Sequence, residues 1–201
     1  MIKSYCAIAV GVAMALGAVA ANATRTVGSM VFTDCDLKSP AIADVLGAQC
    51  TTLSVAENPA APEGRKINLR VALVPAKTAS PEPDPVFYLA GGPGQSALDS
   101  FPIIAPGFER MREKRHIILI DQRGTGGSNK LICKGEDDKS SFSAEEDESA
   151  EAQQAFAAKC AKQLSDHADP RYYTTTVAVG DFDAVRKALG AAKVNLVGGS
   201  Y

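Results

Sequence analysis

Three short apolar runs in this chain each pass directly into a glycine-rich turn. The runs cover residues 86–90, 117–120 and 194–197, and a glycine follows each of them within four residues. The first two are continuous apolar runs, typical of strands that helices cover on both faces, and the third, which contains Asn195, predicts another short strand. Helical patterns separate the runs, and this order predicts an α/β fold with a mostly parallel sheet and helices on both faces.

Periodicity predicts the other elements. Residues 67–73 alternate between apolar and polar side chains, which predicts a strand with one buried face. A helix is predicted to end within 108–114. A capping box at 143–146 opens another helix, and residues 174–176 cap a third. The apolar stripes of these last two helices are Ala152, Phe156, Cys160 and Leu164, and Ala178, Phe182, Val185 and Leu189. Gly190 fits the position just past the third helix.

Residues 1–23 have the pattern of a cleaved signal peptide. Lys3 is followed by an apolar run over 6–20, and Ala21-Asn22-Ala23 fits an A-x-A cleavage site. A retained membrane anchor is the alternative, but the run is shorter than the ~20 strongly apolar residues of a spanning helix. We therefore expect an exported protein, periplasmic or extracellular, with no membrane association after cleavage.

Four cysteines follow the signal peptide: Cys35, Cys50, Cys133 and Cys160. An even number in an exported chain indicates disulfides, and four cysteines allow three pairings. The pairing Cys35–Cys50 and Cys133–Cys160 is preferred because it closes two short loops, with buried free thiols as the alternative. No C-x-x-C motif is present, so we expect no metal site. The first pair falls in a lead-in over 24–66 that is expected to be irregular.

Composition and charge narrow the possible partners. The chain is 46% hydrophobic and 22% charged, which suits one globular core, expected over residues 67–201. The net charge is −2 and the sequence has no Lys/Arg run, so we do not expect the protein to bind nucleic acid. The acidic stretch 134–151 is interpreted as a solvated face. A phosphate-binding G-x-x-x-x-G-K-[ST] loop is absent, and we expect no cofactor.

The turn after the third apolar run has the form of a nucleophile elbow. Gly198-Gly199-Ser200-Tyr201 matches the first four positions of G-x-S-x-G. In that motif small residues let the chain turn sharply and raise the serine hydroxyl above the sheet. Taken alone, this segment also fits an ordinary strand-to-helix turn.

The turn after the first run, Gly91-Gly92-Pro93-Gly94, predicts an oxyanion loop. Backbone N–H groups of glycines can face a developing negative charge because no Cβ blocks them. In the α/β-hydrolase arrangement one N–H comes from this loop and one from the residue after the nucleophile. Gly91 or Gly92 and Tyr201 are therefore the candidate oxyanion-hole donors.

The turn after the second run spans residues 121–128 and reads Asp-Gln-Arg-Gly-Thr-Gly-Gly-Ser. An aspartate at the end of a strand resembles a catalytic acid. We instead interpret Asp121, Arg123 and Gly124 as a structural loop, in which Asp121 holds either loop amides or Arg123.

In this order the three turns resemble the prolyl aminopeptidases and the secreted tripeptidyl aminopeptidases, which are α/β-hydrolases. Tyr173-Thr174-Thr175, the helical segment 181–189 and the cysteine-flanked lead-in are also similar to the secreted members. The resemblance covers most of residues 30–201. Many prolyl aminopeptidases have histidine where this chain has Ala90, a departure that is milder against the tripeptidyl type.

The resemblance implies a serine hydrolase with Ser200 as its nucleophile, most simply an exported aminopeptidase that releases N-terminal residues or short peptides through an acyl-enzyme. In this fold the acid and the histidine follow the serine. The chain is therefore expected to be truncated after the elbow, without the cap domain and C-terminal half, and inactive by itself. His116 and His167 are expected to have packing or surface roles. An esterase or lipase acting on small esters, and an inactive fragment, are the alternatives.

Overall fold

The computed structural model describes residues 24–92, 94–133 and 149–200. The predicted signal peptide, the capping box at 143–146, Pro93 and Tyr201 lie outside the described residues. None of the helices in the described ranges combines the length and the apolar character that crossing a membrane requires.

Seven strands of the described residues form one sheet in the order β1-β2-β3-β4-β6-β5-β7. The strands are β1 Thr24–Val27, β2 Met30–Lys38, β3 Val45–Ala56, β4 Lys66–Val74, β5 Val86–Leu89, β6 Ile117–Ile120 and β7 Asn195–Gly198. The helices are α1 Ala97–Ile104, α2 Glu109–Arg112, α3 Ala150–Leu164 and α4 Thr175–Ala188, with short 3-10 helices at Ala105–Phe108 and Pro170–Tyr172.

The sheet is mixed, whereas the sequence predicted a mostly parallel one. The strands β1 to β4 form an antiparallel meander, and β4 is also antiparallel to β6. Only β6, β5 and β7, the three apolar runs, are mutually parallel neighbours in the described sheet. The α/β architecture with helices on both faces is confirmed.

The predicted irregular lead-in over 24–66 was wrong, because β1, β2 and β3 lie within it. These strands carry polar residues such as Asp34, Asp36 and Thr52 among their apolar ones, and large parts of them are exposed. A strand that is not covered on both faces has no need of a continuous apolar run. The sheet continues from β3 into β4 by an antiparallel register from Gln49 to Ala56.

Side chains on the central strands alternate between two cores, as the period of two requires. Tyr88 of β5 and Leu119 of β6 face the core on which α1 packs. Phe87 and Ile118, their chain neighbours, face the core that α4 covers, with Val185 fully buried against them. The central strands therefore lie between two helical layers, α1 on one face and α4 on the other.

The helix ends follow local capping rules. The Thr174 side chain caps α4 by accepting from the Val177 N–H, as predicted, and Gly190 has a φ of +71° just past its end. Ser149 caps α3 in the same way by accepting from Ala152.

The structure contains the two disulfides of the preferred pairing. Cys35–Cys50 joins the neighbouring strands β2 and β3. Cys133–Cys160 joins the segment after the 121–128 turn to α3. This second bond lies in a small separate cluster in which Leu164 and Ala168 are buried.

Candidate active site

The three turns singled out in the sequence lie at one edge of the sheet. Strands β6, β5 and β7 are parallel neighbours, so their carboxyl ends meet at the same edge. The turn 121–128 follows β6, the glycine loop follows β5, and Ser200 follows β7. In open α/β sheets this carboxyl edge is where ligands bind.

Ser200 has a left-handed backbone conformation directly after β7. Its φ is +60°, and Asn129 is the only other non-glycine residue of the described ranges with a positive φ. The preceding Gly199 still continues the sheet, because its N–H donates to the Leu89 carbonyl at 3.3 Å. The left-handed conformation therefore falls on the residue that directly follows this sheet contact, and Ser200 is exposed there.

The glycine loop packs directly against this turn. A Cβ atom on Gly91 would lie 2.5 Å from the Gly199 carbonyl oxygen and 2.8 Å from Cβ of Ser200. Real Cβ atoms essentially never approach other atoms so closely, so position 91 requires glycine. The close contact brings the backbone of the predicted oxyanion loop next to the predicted nucleophile.

Two further glycines shape the loop. Gly92 has a φ of +119° and Gly94 a φ of +91°, which side-chain-bearing residues rarely adopt. The loop is closed by the Gln95 N–H, which donates to the Gly91 carbonyl at 3.2 Å. Tyr201, the other expected oxyanion donor, lies outside the described residues.

Asp121 is fully buried and accepts hydrogen bonds from both neighbouring turns. Its Oδ1 accepts from Ser96 Oγ at 2.7 Å and from the Leu98 N–H at 3.1 Å. Its Oδ2 accepts from the Gly127 N–H at 2.8 Å. Of the two roles expected for Asp121, the structure has the first, in which the carboxylate holds loop amides.

Arg123 has a different acidic partner, Asp181 of α4. The two make a bidentate pair with N···O distances of 2.6 and 2.7 Å, and both side chains are buried. The remaining donors of Arg123 reach backbone carbonyls, namely those of Ala56, Glu57 and Tyr172. The guanidinium therefore joins the end of β3, the segment before α4, and α4 itself.

Gly124 and Tyr173 complete this structural network. Gly124 has a φ of +83°, and a Cβ there would lie 2.9 Å from the ring of Tyr173. The Tyr173 hydroxyl lies between Asn129 and buried Glu57, and the pKa of Tyr173 is raised mainly by burial of its ring. Sequence reasoning missed Asp181, although a carboxylate beside the apolar stripe of α4 was a signal for a buried ion pair.

Neither histidine lies beside Ser200 in the described structure. His116 precedes β6 and so lies at the amino end of that strand, opposite the candidate site. Its Nδ1 accepts from the Ala76 N–H at 3.0 Å, and burial, with a smaller effect of Arg25, lowers the pKa of its ring. His167 lies in the exposed loop after α3, where its carbonyl accepts from Asn129. Both histidines have the surface or packing roles expected from the sequence.

Among residues 24–92, 94–133 and 149–200, no group of three or more His, Cys, Asp or Glu side chains is placed to hold a metal ion. What the carboxyl edge does offer is a serine on a sharp turn with a glycine loop against it.

Comparison with known proteins agrees with this architecture. The family model described as alpha/beta hydrolase fold matches residues 84–201. No curated protein matches the chain. Among solved structures, proline iminopeptidase from Mycobacterium smegmatis is similar, with 19% identity and a TM-score of 0.42 over 74% of this chain. The alpha/beta hydrolase GrgF from Penicillium sp. sh18 has 22% identity and a TM-score of 0.29 over 41% of this chain.

The chain spans 35% of the length of the first of these structures and 24% of the second. The family match covers residues 84–201, which make up more than half of this chain. The chain therefore belongs to the alpha/beta hydrolase fold family.

Proposed function

We propose that Ser200 is the nucleophile of a serine hydrolase, and that the protein is an exported aminopeptidase that releases N-terminal residues or short peptides. The observation that carries this proposal is the positive φ of Ser200 with Gly91 packed against it. A non-glycine residue in this region costs on the order of 1–3 kcal/mol, and such strain is concentrated at functional sites. In a nucleophile elbow this conformation lifts the serine hydroxyl away from the sheet.

In the proposed reaction Ser200 Oγ attacks the carbonyl carbon at the scissile bond while a general base takes its proton. The carbonyl oxygen becomes an oxyanion, which the N–H of Gly91 or Gly92 and that of Tyr201 stabilise. The base returns the proton to the leaving amine, and an acyl-enzyme remains on Ser200. Water then attacks the ester, which releases the acid and restores the serine.

The general base is proposed to come from sequence that follows Tyr201 in the complete protein. In this fold the histidine comes after the serine in chain order. His116 lies at the opposite edge of the sheet, and its Nδ1 is already occupied by the Ala76 N–H. A serine hydroxyl without an adjacent base is a weak nucleophile.

The preference for a peptidase over an esterase rests on the order of the three turns. The Gly-Gly-Pro-Gly loop, the Asp-Gln-Arg-Gly turn and the Gly-Gly-Ser-Tyr elbow resemble the aminopeptidase family in that order. The fold itself is shared by esterases and lipases and does not separate these activities.

Export is supported by the two disulfides, which suit an oxidising compartment such as the periplasm or the extracellular space. The apolar run over 6–20 and the Ala21-Asn22-Ala23 site also have the sequence pattern of a cleaved signal peptide.

The activity is tested by assaying the full-length protein on matched substrates. We expect hydrolysis of peptidyl naphthylamides with a free amino terminus and little hydrolysis of their N-acetylated counterparts. The Ser200→Ala variant should lose this activity. Nitrophenyl esters cleaved in strong preference to every amide would contradict the aminopeptidase and support the esterase. Activity that survives Ser200→Ala would exclude Ser200 as the nucleophile.

A further inference from the structure

The oxyanion loop is fixed at both of its ends by contacts outside itself. At its near end Gly91 packs on the Ser200 turn, and the Leu89 carbonyl accepts from the Gly199 N–H. At its far end the chain enters α1 at Ser96, which is the N-cap of that helix. Gly92 and Gly94, which lie between the two ends, have no side chain that could fix the position of the loop amides.

Ser96 connects the far end of the loop to Asp121. Its Oγ accepts from the Asp99 N–H at 3.0 Å and donates to Asp121 Oδ1 at 2.7 Å. The same Oδ1 also accepts from the Leu98 N–H, so the first turn of α1 is held by one carboxylate oxygen. This carboxylate belongs to the end of β6, the strand next to β5 in the sheet.

The other side of the carboxylate is equally enclosed. Oδ2 accepts from the Gly127 N–H, and a Cβ on Gly126 would lie 2.1 Å from Oδ2 and 2.8 Å from Ser96 Oγ. The 121–128 turn therefore closes over the contact between Asp121 and Ser96 and leaves it no room to shift.

From these contacts we infer that Asp121 is a positioning residue for the oxyanion hole. It acts through Ser96 and the start of α1, which set where the Gly91 and Gly92 amides lie relative to Ser200. The inference rests on the proposed function and goes beyond a structural role, because it links Asp121 to the rate of the chemical step. An oxyanion donor must lie within about 2.7–3.1 Å of the developing charge.

The variant Asp121→Asn tests this link with little change in size. The three groups that hydrogen-bond to the carboxylate are all donors, and the Arg70 guanidinium lies 4.0 Å from Oδ2. Asparagine would place an NH₂ group at the position of one of the two oxygens. There it would face the N–H of Leu98 or of Gly127. Because two donors cannot hydrogen-bond to each other, the end of the loop would shift. A displacement of ~1 Å at a catalytic group costs on the order of 100-fold in rate. We expect a fall in kcat of about that size and little change in KM.

The experiment compares four variants of the full-length protein: Asp121→Asn, Ser96→Ala, their combination, and Ser128→Ala. Ser128 is the matched control, because it is a buried residue of the same turn as Asp121. Its Oγ accepts from the N–H of Arg70 in β4 and makes no hydrogen bond to Asp121. Active sites are counted by complete fluorophosphonate labelling, so that kcat refers to folded enzyme. Both single variants should lower kcat and slow the labelling, while Ser128→Ala should leave both unchanged. The double variant should be no worse than Asp121→Asn, since the two residues act in series.

Equal kcat values per labelled site for Asp121→Asn and Ser128→Ala would overturn the inference. Fully additive losses in the double variant would also overturn it, because they exclude action through Ser96. Where Asp121→Asn does not fold, Ser96→Ala decides the matter, and an unchanged kcat there refutes the inference. A wild-type protein that does not label contradicts the proposed function itself, whereas labelling with unaffected variants contradicts only the role of Asp121.

Discussion

At the scale of single residues, the candidate site depends on the absence of a side chain at position 91. Gly91 has no Cβ, and the Gly199 carbonyl oxygen and the Ser200 side chain occupy the space in which one would lie. The oxyanion loop and the nucleophile turn can approach each other only for this reason. Gly107, in the 3-10 helix after α1, is the opposite case, since a Cβ there would have no neighbour within 4 Å.

The variant Gly91→Ala should therefore damage both the site and the fold. We expect slower fluorophosphonate labelling of the full-length protein and a loss of unfolding free energy of about 1–3 kcal/mol, typical of overpacking. Gly107→Ala should leave the labelling rate unchanged. A Gly91→Ala protein that labels as fast as the Gly107→Ala control would show that the loop does not approach Ser200 as described.

His116 should make stability depend on pH in the mildly acidic range. Burial lowers the pKa of the folded-state imidazole below its ordinary 6.5, with a smaller contribution from Arg25. Below pH 6.5 the imidazole of the unfolded chain takes up a proton, whereas that of the folded chain does so only at lower pH. The folded state is therefore fully stable above pH 6.5 and loses stability as the pH falls from 6.5 toward the pKa of the folded state. Protonation would also remove the acceptor that the Ala76 N–H uses.

Urea unfolding at about pH 7.5 and about pH 5.5 measures this effect, because the window lies above the ordinary carboxylate range. Wild-type protein should lose more stability on acidification than the His116→Asn variant, which does not titrate there. Equal losses in the two proteins would contradict a lowered pKa for His116.

At the scale of elements, α4 is held by a buried ion pair as well as by its apolar stripe. Asp181 binds Arg123 through two hydrogen bonds in the interior. Asp183, two residues later in the same helix, pairs with Arg186 and Lys187 at the surface. Lys187 is the main cause of the lowered pKa of Asp183.

Removing each carboxylate in turn should separate these two environments. Asp181→Ala leaves the Arg123 guanidinium buried without its anion and should cost about 3–5 kcal/mol of unfolding free energy. Asp183→Ala removes only exposed pairs and should change stability little. Chemical denaturation of both variants provides the measurement, and a small effect of Asp181→Ala would mean that backbone carbonyls suffice to hold Arg123.

The helix α3 has few buried contacts apart from its disulfide. Among its residues only Leu164 is buried, while Phe156 and Cys160 are partly buried in the small cluster around Cys133. Replacing Cys133 and Cys160 with serine should remove about 3 kcal/mol of stabilisation. Hydrogen exchange should then show faster exchange in α3 than in α4.

The corresponding serine variant of Cys35 and Cys50 is the control, because that bond joins strands already paired by backbone hydrogen bonds. Its effect on α3 exchange should be small. Non-reducing peptide mapping of the exported protein checks the pairing itself, and free thiols or crossed pairs would contradict it.

Differences in burial between elements explain which of them could be predicted from the sequence. The strands β5 and β6 are buried and read as apolar runs, and the stripe and cap of α4 were evident from spacing alone. The strand β7 was expected to be covered in the same way, but it lies at the edge of the described sheet with Leu196 exposed. The strands β1 to β3 escaped prediction because their exposed faces mix polar residues into the pattern. The pairing of Arg123 with Asp181 joins residues 58 positions apart, and no local spacing rule reaches that far.

At the scale of the whole molecule, the described residues bring together only part of a catalytic apparatus. Ser200, the proposed nucleophile, and the glycine loop proposed as one side of the oxyanion hole lie at the carboxyl edge of β5 and β7, while both histidines lie elsewhere. Purified residues 24–201 should therefore show no more than the small residual rate that serine hydrolases keep without their histidine. Robust turnover by this segment, abolished by Ser200→Ala, would mean that His116 or His167 serves as the base.

The identity of the nucleophile is decided by locating a covalent label on the protein. The full-length protein is treated with a fluorophosphonate, digested and mapped by tandem mass spectrometry. We expect a single modified residue, Ser200, and no labelling of the Ser200→Ala variant. Modification of another serine, with Ser200 untouched, would contradict the assignment of Ser200 as the nucleophile.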